Sequence, residues 1–208
     1  MANDVVITGM GLVSALADSP AALHQALLEG RRAHRQVELF DTGDMGSQRA
    51  CEVRGFEPQA YLGKKNFRPL NRAAQFTCAA AQLALADGDC SEEMRAEQDV
   101  GLVMGTQFCS VHTITRFDHL AITRGPAYAS PLDFANTVIN AATGQTAIWH
   151  NLRGINSTLS TGPTSGLSAL GYAADLVRNG RVQTVLAGGV EELCFESLFA
   201  CSRAGLAG

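Results

Sequence analysis

Residues 154–190 read GINSTLSTGPTSGLSALGYAADLVRNGRVQTVLAGGV, and this stretch decides the fold class. Residues 154–161 are strand-like, and residues 164–179 place apolar side chains at helical intervals before Gly180, a residue typical of helix ends. The apolar run 184–190 then predicts a second strand. Strand, helix and strand in this order predict a β-α-β unit, in which the two strands run parallel.

The same alternation continues through the rest of the chain. Further strands are predicted at residues 5–9 and 100–106, with short strands around residues 50–53, and helices at residues 20–28, 71–87 and 131–149. We therefore predict a single domain over residues 1–208. Its fold class is α/β, with a mixed sheet covered by helices on both faces.

Composition and charge exclude several classes of function. The chain has 208 residues, 46% hydrophobic and 17% charged, and a net charge of −4 without a basic run. Nucleic-acid binding therefore has little electrostatic support. No stretch approaches the roughly 18 apolar residues of a membrane span, and the N-terminus lacks the basic and apolar regions of a signal peptide. We expect a cytoplasmic protein.

The cysteines and histidines are scattered along the chain. The cysteines, at positions 51, 78, 90, 109, 194 and 201, form no Cys-x-x-Cys pair and have no histidine at ligand spacing. Buried, reduced thiols are the expected state. His24 and His150 fall in or near predicted helices, where packing or surface roles are expected. We predict no metal site and no cofactor.

Two local motifs are similar to binding or catalytic signatures. Residues 8–14 (TGMGLVS) follow a strand, as in dinucleotide-binding proteins, but lack the third glycine and a later acidic residue. Residues 162–166 (GPTSG) are similar to a nucleophile elbow centred on Thr164. A hydroxyl nucleophile needs a base, and no histidine follows His150. Thr164 or Ser165 is instead predicted to cap the following helix.

Read together, the motifs of the whole chain resemble the β-ketoacyl synthase family in order and spacing. The matching segments are VVITGMG at 5–11, GT at 105–106, SPLDFANTVIN at 130–140, GQ at 144–145, LRG at 152–154, STGPTSG at 160–166 and AGGVE at 187–191. The resemblance implies the thiolase fold, here its N-terminal half only. It also implies condensation of a cysteine-bound acyl group with malonyl attached to acyl carrier protein.

The resemblance places the family's catalytic cysteine at a helix N-terminus, in a Thr-Ala-Cys-x-Ser/Thr-Gly type motif. The matching residues here are TGPTSG at 161–166, so Pro163 stands at the nucleophile position. Proline has no thiol and no N–H, which excludes a thioester there. The family's two active-site histidines and its lysine belong to its C-terminal half, and this chain, about half the usual length, ends before them. We predict no catalytic residue and no enzyme activity by the chain itself.

Inactive relatives of this kind, the chain length factors, pair with an active synthase and help to bound its acyl tunnel. The resemblance therefore implies a noncatalytic subunit of a ketosynthase complex, in type II polyketide synthesis (aryl polyenes by analogy) or fatty-acid-like synthesis. The predicted partners are a full-length catalytic synthase, in a heterodimer or larger assembly, and indirectly acyl carrier protein. An N-terminal half of a split or degenerate ketosynthase, or an acyl carrier protein binder, are the alternatives.

The resemblance also assigns candidate residues. The acyl-tunnel and interface candidates are Phe108, Phe134 and Val138, although Phe134 is equally compatible with the core. The strand expected to pair with the partner comprises Gly154, Ile155, Asn156, Ser157, Thr158, Leu159 and Ser160. The family's second half covers the helix at 164–179, so an apolar surface is expected there, on the helix that carries Leu167, Leu170, Ala173, Ala174 and Val177.

Overall fold

The computed structural model describes residues 4–64 and 66–207. The α-helices in these ranges are α1 (Pro20–Leu28), α2 (Pro58–Leu62), α3 (Arg72–Asp87), α4 (Glu92–Glu97), α5 (Val111–Arg124), α6 (Pro131–Phe134), α7 (Ala141–His150), α8 (Ser165–Arg178) and α9 (Phe195–Arg203). The strands are β1 (Arg35–Gln36), β2 (Arg49–Ala50), β3 (Gly101–Gly105), β4 (Asn156–Leu159) and β5 (Val185–Gly189). None of these helices is long and apolar enough to cross a membrane.

The main sheet has three parallel strands in the order β4-β3-β5. Met104 in β3 lies level with Thr158 on one side and Gly188 on the other. The predicted β-α-β unit is confirmed as β4, α8 and β5. Antiparallel pairing occurs in a separate ribbon of β1 and β2. Within the described residues the main sheet is therefore parallel rather than mixed, because helical crossovers return the chain to the same end of each strand.

Helices cover both faces of this sheet, as the alternation of elements predicts. Every residue of β3 is buried. Val103 packs against Ala169 and Ala173 of α8. Its neighbours Leu102 and Met104 lie in a different cluster, with residues of and beyond α7. Successive side chains of a strand point to opposite faces, so this central strand supplies core residues to both layers.

Helix α3 is confirmed close to its predicted bounds. Asn71 caps it by accepting a hydrogen bond from the amide of Ala74 at 2.9 Å. Ala73, Ala74 and Cys78 share a buried cluster with Ala142 of α7. Alanine favours helices and its small side chain permits close helix packing. The alanine-rich composition therefore explains both the helix and its place beside α7.

The predicted strand at residues 5–9 is wrong. Val6 and Ile7 are 73% and 80% exposed, and the segment belongs to no strand. It lies against the C-terminal end of α3, where the amide of Met10 donates to the Asp87 carboxylate at 2.8 Å. A β carbon on Gly9 would lie 2.5 Å from the carbonyl oxygen of Ala84. A β-branched run becomes a strand only beside another strand, and here its neighbour is a helix.

The continuous helix predicted at residues 131–149 is also wrong. It begins at Pro131 as expected, but α6 ends at Phe134 and α7 starts at Ala141. The intervening segment contains three consecutive residues of low helix propensity at positions 137–139. Asn136, buried in this segment, donates from Nδ2 to the carbonyl of Pro69 at 2.7 Å. This hydrogen bond from a side chain to a distant backbone group stabilises a non-helical conformation of the segment.

Glycines bring the start of α8 directly onto the ends of two strands. A β carbon at Gly105, the last residue of β3, would overlap the carbonyl group of Ser165. A β carbon at Gly189, the last residue of β5, would lie 3.1 Å from the Cα atom of Gly166. We call these contacts, formed by Gly105, Ser165, Gly166 and Gly189, the glycine junction. It determines how closely the helix approaches the sheet.

Substitution at the glycine junction should destabilise the fold. Gly105→Ala must displace backbone, so we expect it to lower the free energy of unfolding by about 1–3 kcal/mol. Gly171→Ala is the matched control, since nothing lies within 4 Å of its β carbon in α8, and it should raise stability by about 0.5–1 kcal/mol. Urea denaturation of both variants measures the difference. Equal stability of Gly105→Ala and the parent protein would contradict the junction.

Candidate functional site

The turn between β4 and α8 contains the position predicted for a nucleophile. Gly162 has φ +81°, a conformation that favours glycine, and Pro163 lies exposed in a 3-10 turn. The Ser165 hydroxyl donates to the carbonyl of Gly162 at 2.6 Å and accepts from the amide of Thr161 at 2.9 Å. At position 163 the turn presents a pyrrolidine ring, which carries no ionisable or nucleophilic group.

The predicted side-chain cap of α8 is not formed. Thr164 occupies the N-cap position but its hydroxyl makes no capping hydrogen bond. Its backbone, at φ −96° and ψ 8°, departs from the extended conformation in which a capping side chain reaches the next amides. The Ser165 hydroxyl instead binds backward to the turn. Ser165 therefore stabilises the turn around Pro163 and not the helix end.

Two of the three acyl-tunnel candidates belong to linked segments. Phe108 is half-buried in the loop between β3 and α5, and Val138 is 50% exposed in the segment between α6 and α7. The hydroxyl of Ser110 donates to the carbonyl of Val138 at 3.2 Å. Ser110 lies two residues after Phe108, so this bond holds the two segments together.

The third candidate, Phe134, lies on the surface. Its side chain is 64% exposed, and its ring is 5.8 Å from the ring of Phe117 in α5, measured between centroids. Phe134 therefore does not belong to the core of this chain, and that interpretation of the residue is wrong. An exposed aromatic residue gains stability when a second surface covers it.

The carboxylate of Glu191 joins the segment after β5 to the loop after β3. It accepts hydrogen bonds from the Thr106 hydroxyl at 2.9 Å, from the amide of Phe108 at 3.1 Å, and from the amide of Gln107. Val190, just before it, donates its amide to the carbonyl of Gly105 at 3.0 Å, which extends the ladder between the two strands. We call residues 106–108 the Phe108 loop. One exposed carboxylate therefore binds all three of its residues.

Glu192, the next residue, is buried against the start of α3. It is 5% exposed, and its Oε2 atom accepts from the amide of Ala73 in the first turn of α3 at 3.1 Å. Its Oε1 atom is buried without a hydrogen-bond partner. Burial raises the pKa of Glu192 to about 7, although His112, the Ala73 amide and Arg72 act to lower it. A carboxyl in this environment changes charge near neutral pH.

The strand proposed for pairing with a partner lies at an edge of the sheet. Of the seven candidates at 154–160, the residues Asn156–Leu159 form β4. Gly154 and Ile155 precede it and bond toward β3, through the amide of Gly154 to Val100 and the carbonyl of Ile155 from Leu102. Ser160 follows the strand. Because β4 has β3 as its one neighbour among the strands of residues 4–64 and 66–207, its other edge carries main-chain groups open to a further strand.

The cysteines and histidines form no site in the described residues. All six cysteines are free: Cys78, Cys109 and Cys194 are buried, whereas Cys51 is exposed and the other two are partly exposed. Burial raises the pKa of the Cys78 thiol to about 11, which makes it a poor nucleophile. The buried state predicted for the cysteines thus holds for three of them. His24 is exposed, and His150 is buried against the carbonyl of Cys78 at 2.9 Å.

Metal-binding clusters are likewise absent where the structure can be described. Residues 4–64 and 66–207 contain no group of three or more histidine, cysteine, aspartate or glutamate side chains arranged to hold a metal ion.

Glu191 and Glu192 are functional residues that the sequence predictions do not include. A detectable signal exists, because two consecutive glutamates follow directly after the apolar run 184–190. Acidic residues at a strand end can bind the amides of neighbouring helix and loop starts. The sequence pattern does not show which amides these are, since Ala73 and Phe108 are distant from them along the chain.

The comparison with protein families assigns the chain to a class. Residues 2–207 match the family model described as Beta-ketoacyl synthase, N-terminal domain. The chain therefore belongs to the β-ketoacyl synthase family. The resemblance found in the sequence and the predicted fold, the N-terminal half of the thiolase-like ketosynthase fold, are both confirmed.

Individual relatives include enzymes and a ketosynthase/chain length factor structure. The chain is 31% identical over 188 residues to a 3-oxoacyl-(acyl-carrier-protein) synthase 2 of Vibrio cholerae serotype O1, covering 90% of this chain and 45% of that protein. The solved structure titled "The ishigamide ketosynthase/chain length factor" matches with a TM-score of 0.88 at 26% identity, covering 99% of this chain and 51% of that one. A β-ketoacyl synthase from Burkholderia phymatum STM815 gives 0.84 at 26% identity, over 96% and 49%. The chain thus spans about half the length of the relatives it matches.

Stability should depend on pH through Glu192. The folded pKa, about 7, lies above the ordinary value of 4.5, so the neutral carboxyl stabilises the fold below about pH 4.5 and this stability is lost as the pH rises through 7. We expect the parent protein to lose about 3 kcal/mol across this window. Glu192→Gln should remove most of that slope. Urea denaturation between pH 5 and pH 8 measures it.

The control for this prediction is Glu93→Gln, since Glu93 is exposed in α4. It should keep the slope of the parent protein. An unchanged slope in Glu192→Gln would mean that another group titrates.

Proposed function

We propose that this chain is a noncatalytic subunit, similar to a chain length factor, which pairs with an active β-ketoacyl synthase and helps to shape its acyl tunnel. The observation that carries the proposal is Pro163 in the turn before α8. The pathway class follows by analogy: type II polyketide synthesis, aryl polyenes included, or fatty-acid-like synthesis.

The position of Pro163 supports the absence of chemistry. The family places its catalytic cysteine in the motif matched by residues 161–166, at a helix N-terminus where backbone amides stabilise a thiolate. Proline supplies neither the thiol nor an amide N–H, but it fits the first turn of a helix without strain. The turn keeps its shape through Ser165, so the scaffold of a ketosynthase site persists without its nucleophile.

The surface around α6 supports a role at a partner's tunnel. Phe134 and Val138 are exposed at 64% and 50%, and the Ser110 bond joins Val138 to the segment that contains Phe108. Large apolar side chains that line a cavity shorten it. In this proposal the three side chains limit the length of the acyl chain that the partner can hold.

Two further surfaces support a large interface. The outer edge of β4 is open for an antiparallel strand from the partner, which would join two sheets across a pseudo-twofold axis. On α8, Leu167 is 72% and Leu170 is 47% exposed, whereas Ala173 is buried against the sheet. Exposed leucines on one helix face favour a covering surface, and such interfaces stabilise the partners that form them.

Co-expression with a full-length β-ketoacyl synthase should yield a stable one-to-one complex. The chain alone should be poorly soluble because of its exposed apolar side chains. Light scattering of the purified species gives the mass, and intact-mass analysis after incubation with acyl carrier protein charged with an acyl group should find the acyl adduct on the partner only. A chain that stays monomeric and soluble at the concentrations used for light scattering, or an acyl adduct on this chain, contradicts the proposal.

Removing the side chain of Phe134 should lengthen the product. Phe134→Ala in the reconstituted complex should shift the product distribution toward longer acyl chains, since the cavity gains the volume of a phenyl ring. The matched control is Ile122→Ala, which removes an apolar side chain that is 82% exposed on α5. Mass spectrometry of the products measures both. Identical product lengths in Phe134→Ala and the parent complex would remove Phe134 from the tunnel.

A second candidate function is favoured by the uncovered face of α8. The exposed residues Leu167 and Leu170, together with the exposed Val6 and Ile7, are the surface expected of one half of a split ketosynthase. In that case the chain should form a complex with a separately expressed C-terminal half and should not bind full-length synthases. The same light-scattering measurement separates the two functions.

A further inference from the structure

The Phe108 loop is followed by a residue with an uncommon backbone conformation. Cys109, the residue that follows it, has φ +31°, a region that residues other than glycine rarely adopt. Such a conformation costs free energy and persists only when surrounding contacts enforce it. The Cys109 amide donates to the Thr106 hydroxyl at 3.1 Å, and the amide of Val111 donates to the carbonyl of Phe108 at 2.9 Å. These two hydrogen bonds form tight turns on either side of Phe108.

The contacts that enforce this conformation converge on Glu191. Its carboxylate accepts from the hydroxyl of Thr106 and from the amides of Gln107 and Phe108. Hydrogen bonds to an ionised acceptor are stronger than neutral ones. Glu191 is itself exposed, so it acts on the loop through these bonds and not by filling the core.

The direction of the Glu191 side chain is set by its neighbours. Val190 continues the parallel ladder by bonding to the carbonyl of Gly105, which brings Glu191 to the end of β3. Glu192 points elsewhere, into the buried start of α3, where it binds the amide of Ala73. The consecutive glutamates therefore have separate roles: Glu192 anchors the segment and Glu191 binds the loop.

We propose that Glu191 is a positioning residue for Phe108: its carboxylate holds the loop amides and thereby decides where the phenyl ring stands. This inference rests on the proposed function, since Phe108 limits acyl length only if it lines the tunnel. Phe108 is only half-buried, so packing within this chain leaves part of its ring free. Loss of the hydrogen bonds from Glu191 should free the Phe108 loop and move the phenyl ring of Phe108.

The test uses the co-purified complex with five variants: Glu191→Ala, Glu191→Gln, Phe108→Ala, the double variant Glu191→Ala/Phe108→Ala and, as a control, Glu196→Gln. Glu196 is a nearby carboxylate that binds the His112 side chain at 3.1 Å and makes no bond to the loop amides. Each complex is first compared with the parent by light scattering, so that misfolded variants are recognised. Hydrogen exchange, read by mass spectrometry on peptides that contain residues 106–109, then measures the loop.

Glu191→Ala should accelerate exchange of these amides at least about tenfold, the order expected for loss of a charge-assisted hydrogen bond. Glu191→Gln, which keeps one oxygen acceptor, should have a smaller effect, and Glu196→Gln none. The product distribution should shift in Glu191→Ala in the same direction as in Phe108→Ala. The double variant should shift no further than Phe108→Ala, because both changes act through one ring.

The outcomes separate this inference from the proposed function. If hydrogen exchange of the loop amides is unchanged in Glu191→Ala, Glu191 does not hold the Phe108 loop, whatever the products are. Faster exchange with an unchanged product, while Phe108→Ala does alter the product, overturns the positioning role and leaves the proposed function intact. If Phe108→Ala also leaves the product unchanged, the assignment of Phe108 to the tunnel fails, and the positioning role in length control fails with it.

Discussion

The close contact between the start of α8 and the ends of β3 and β5 is the constraint on which the other features depend. At the end of β3 only glycine permits it, because a β carbon at Gly105 would overlap the backbone of Ser165. At the end of β5 the contact is tight but longer, since a β carbon at Gly189 would lie 3.1 Å from the Cα atom of Gly166. Through this contact α8 covers one face of a sheet of three short parallel strands. The contact also places the turn containing Pro163 beside the carboxyl ends of those strands.

The same junction brings together segments that are distant in sequence. The chain leaves β3 after Gly105 into the Phe108 loop, and it leaves β5 after Gly189 toward Glu191 and Glu192. Parallel strands end at one edge of a sheet, which is where open α/β folds gather their functional loops. A carboxylate after one strand can therefore bind the amides after the next. The geometry of the loop is thus a consequence of strand order.

The proposed function assigns to this chain the scaffold of a ketosynthase without its chemistry. The family's fold is present over nearly the whole chain, with a TM-score of 0.88 to a ketosynthase/chain length factor structure. Pro163 fits the turn before α8 because a proline costs little in the first turn of a helix. The nucleophile can therefore be lost without loss of the fold. What remains on the surface are edges and apolar side chains suited to association.

The sequence by itself determined the fold class, the family and most elements, because apolar periodicity and glycine positions are local signals. The helix at α3, the strand at β3 and the unit of β4, α8 and β5 follow from it. It did not reveal that residues 5–9 lie beside a helix, or that Asn136 interrupts a helix by bonding to Pro69. Only the tertiary structure decided these points and the partners of Glu191 and Glu192. Each depends on a contact between residues far apart in the chain, and local propensity carries no information about such contacts.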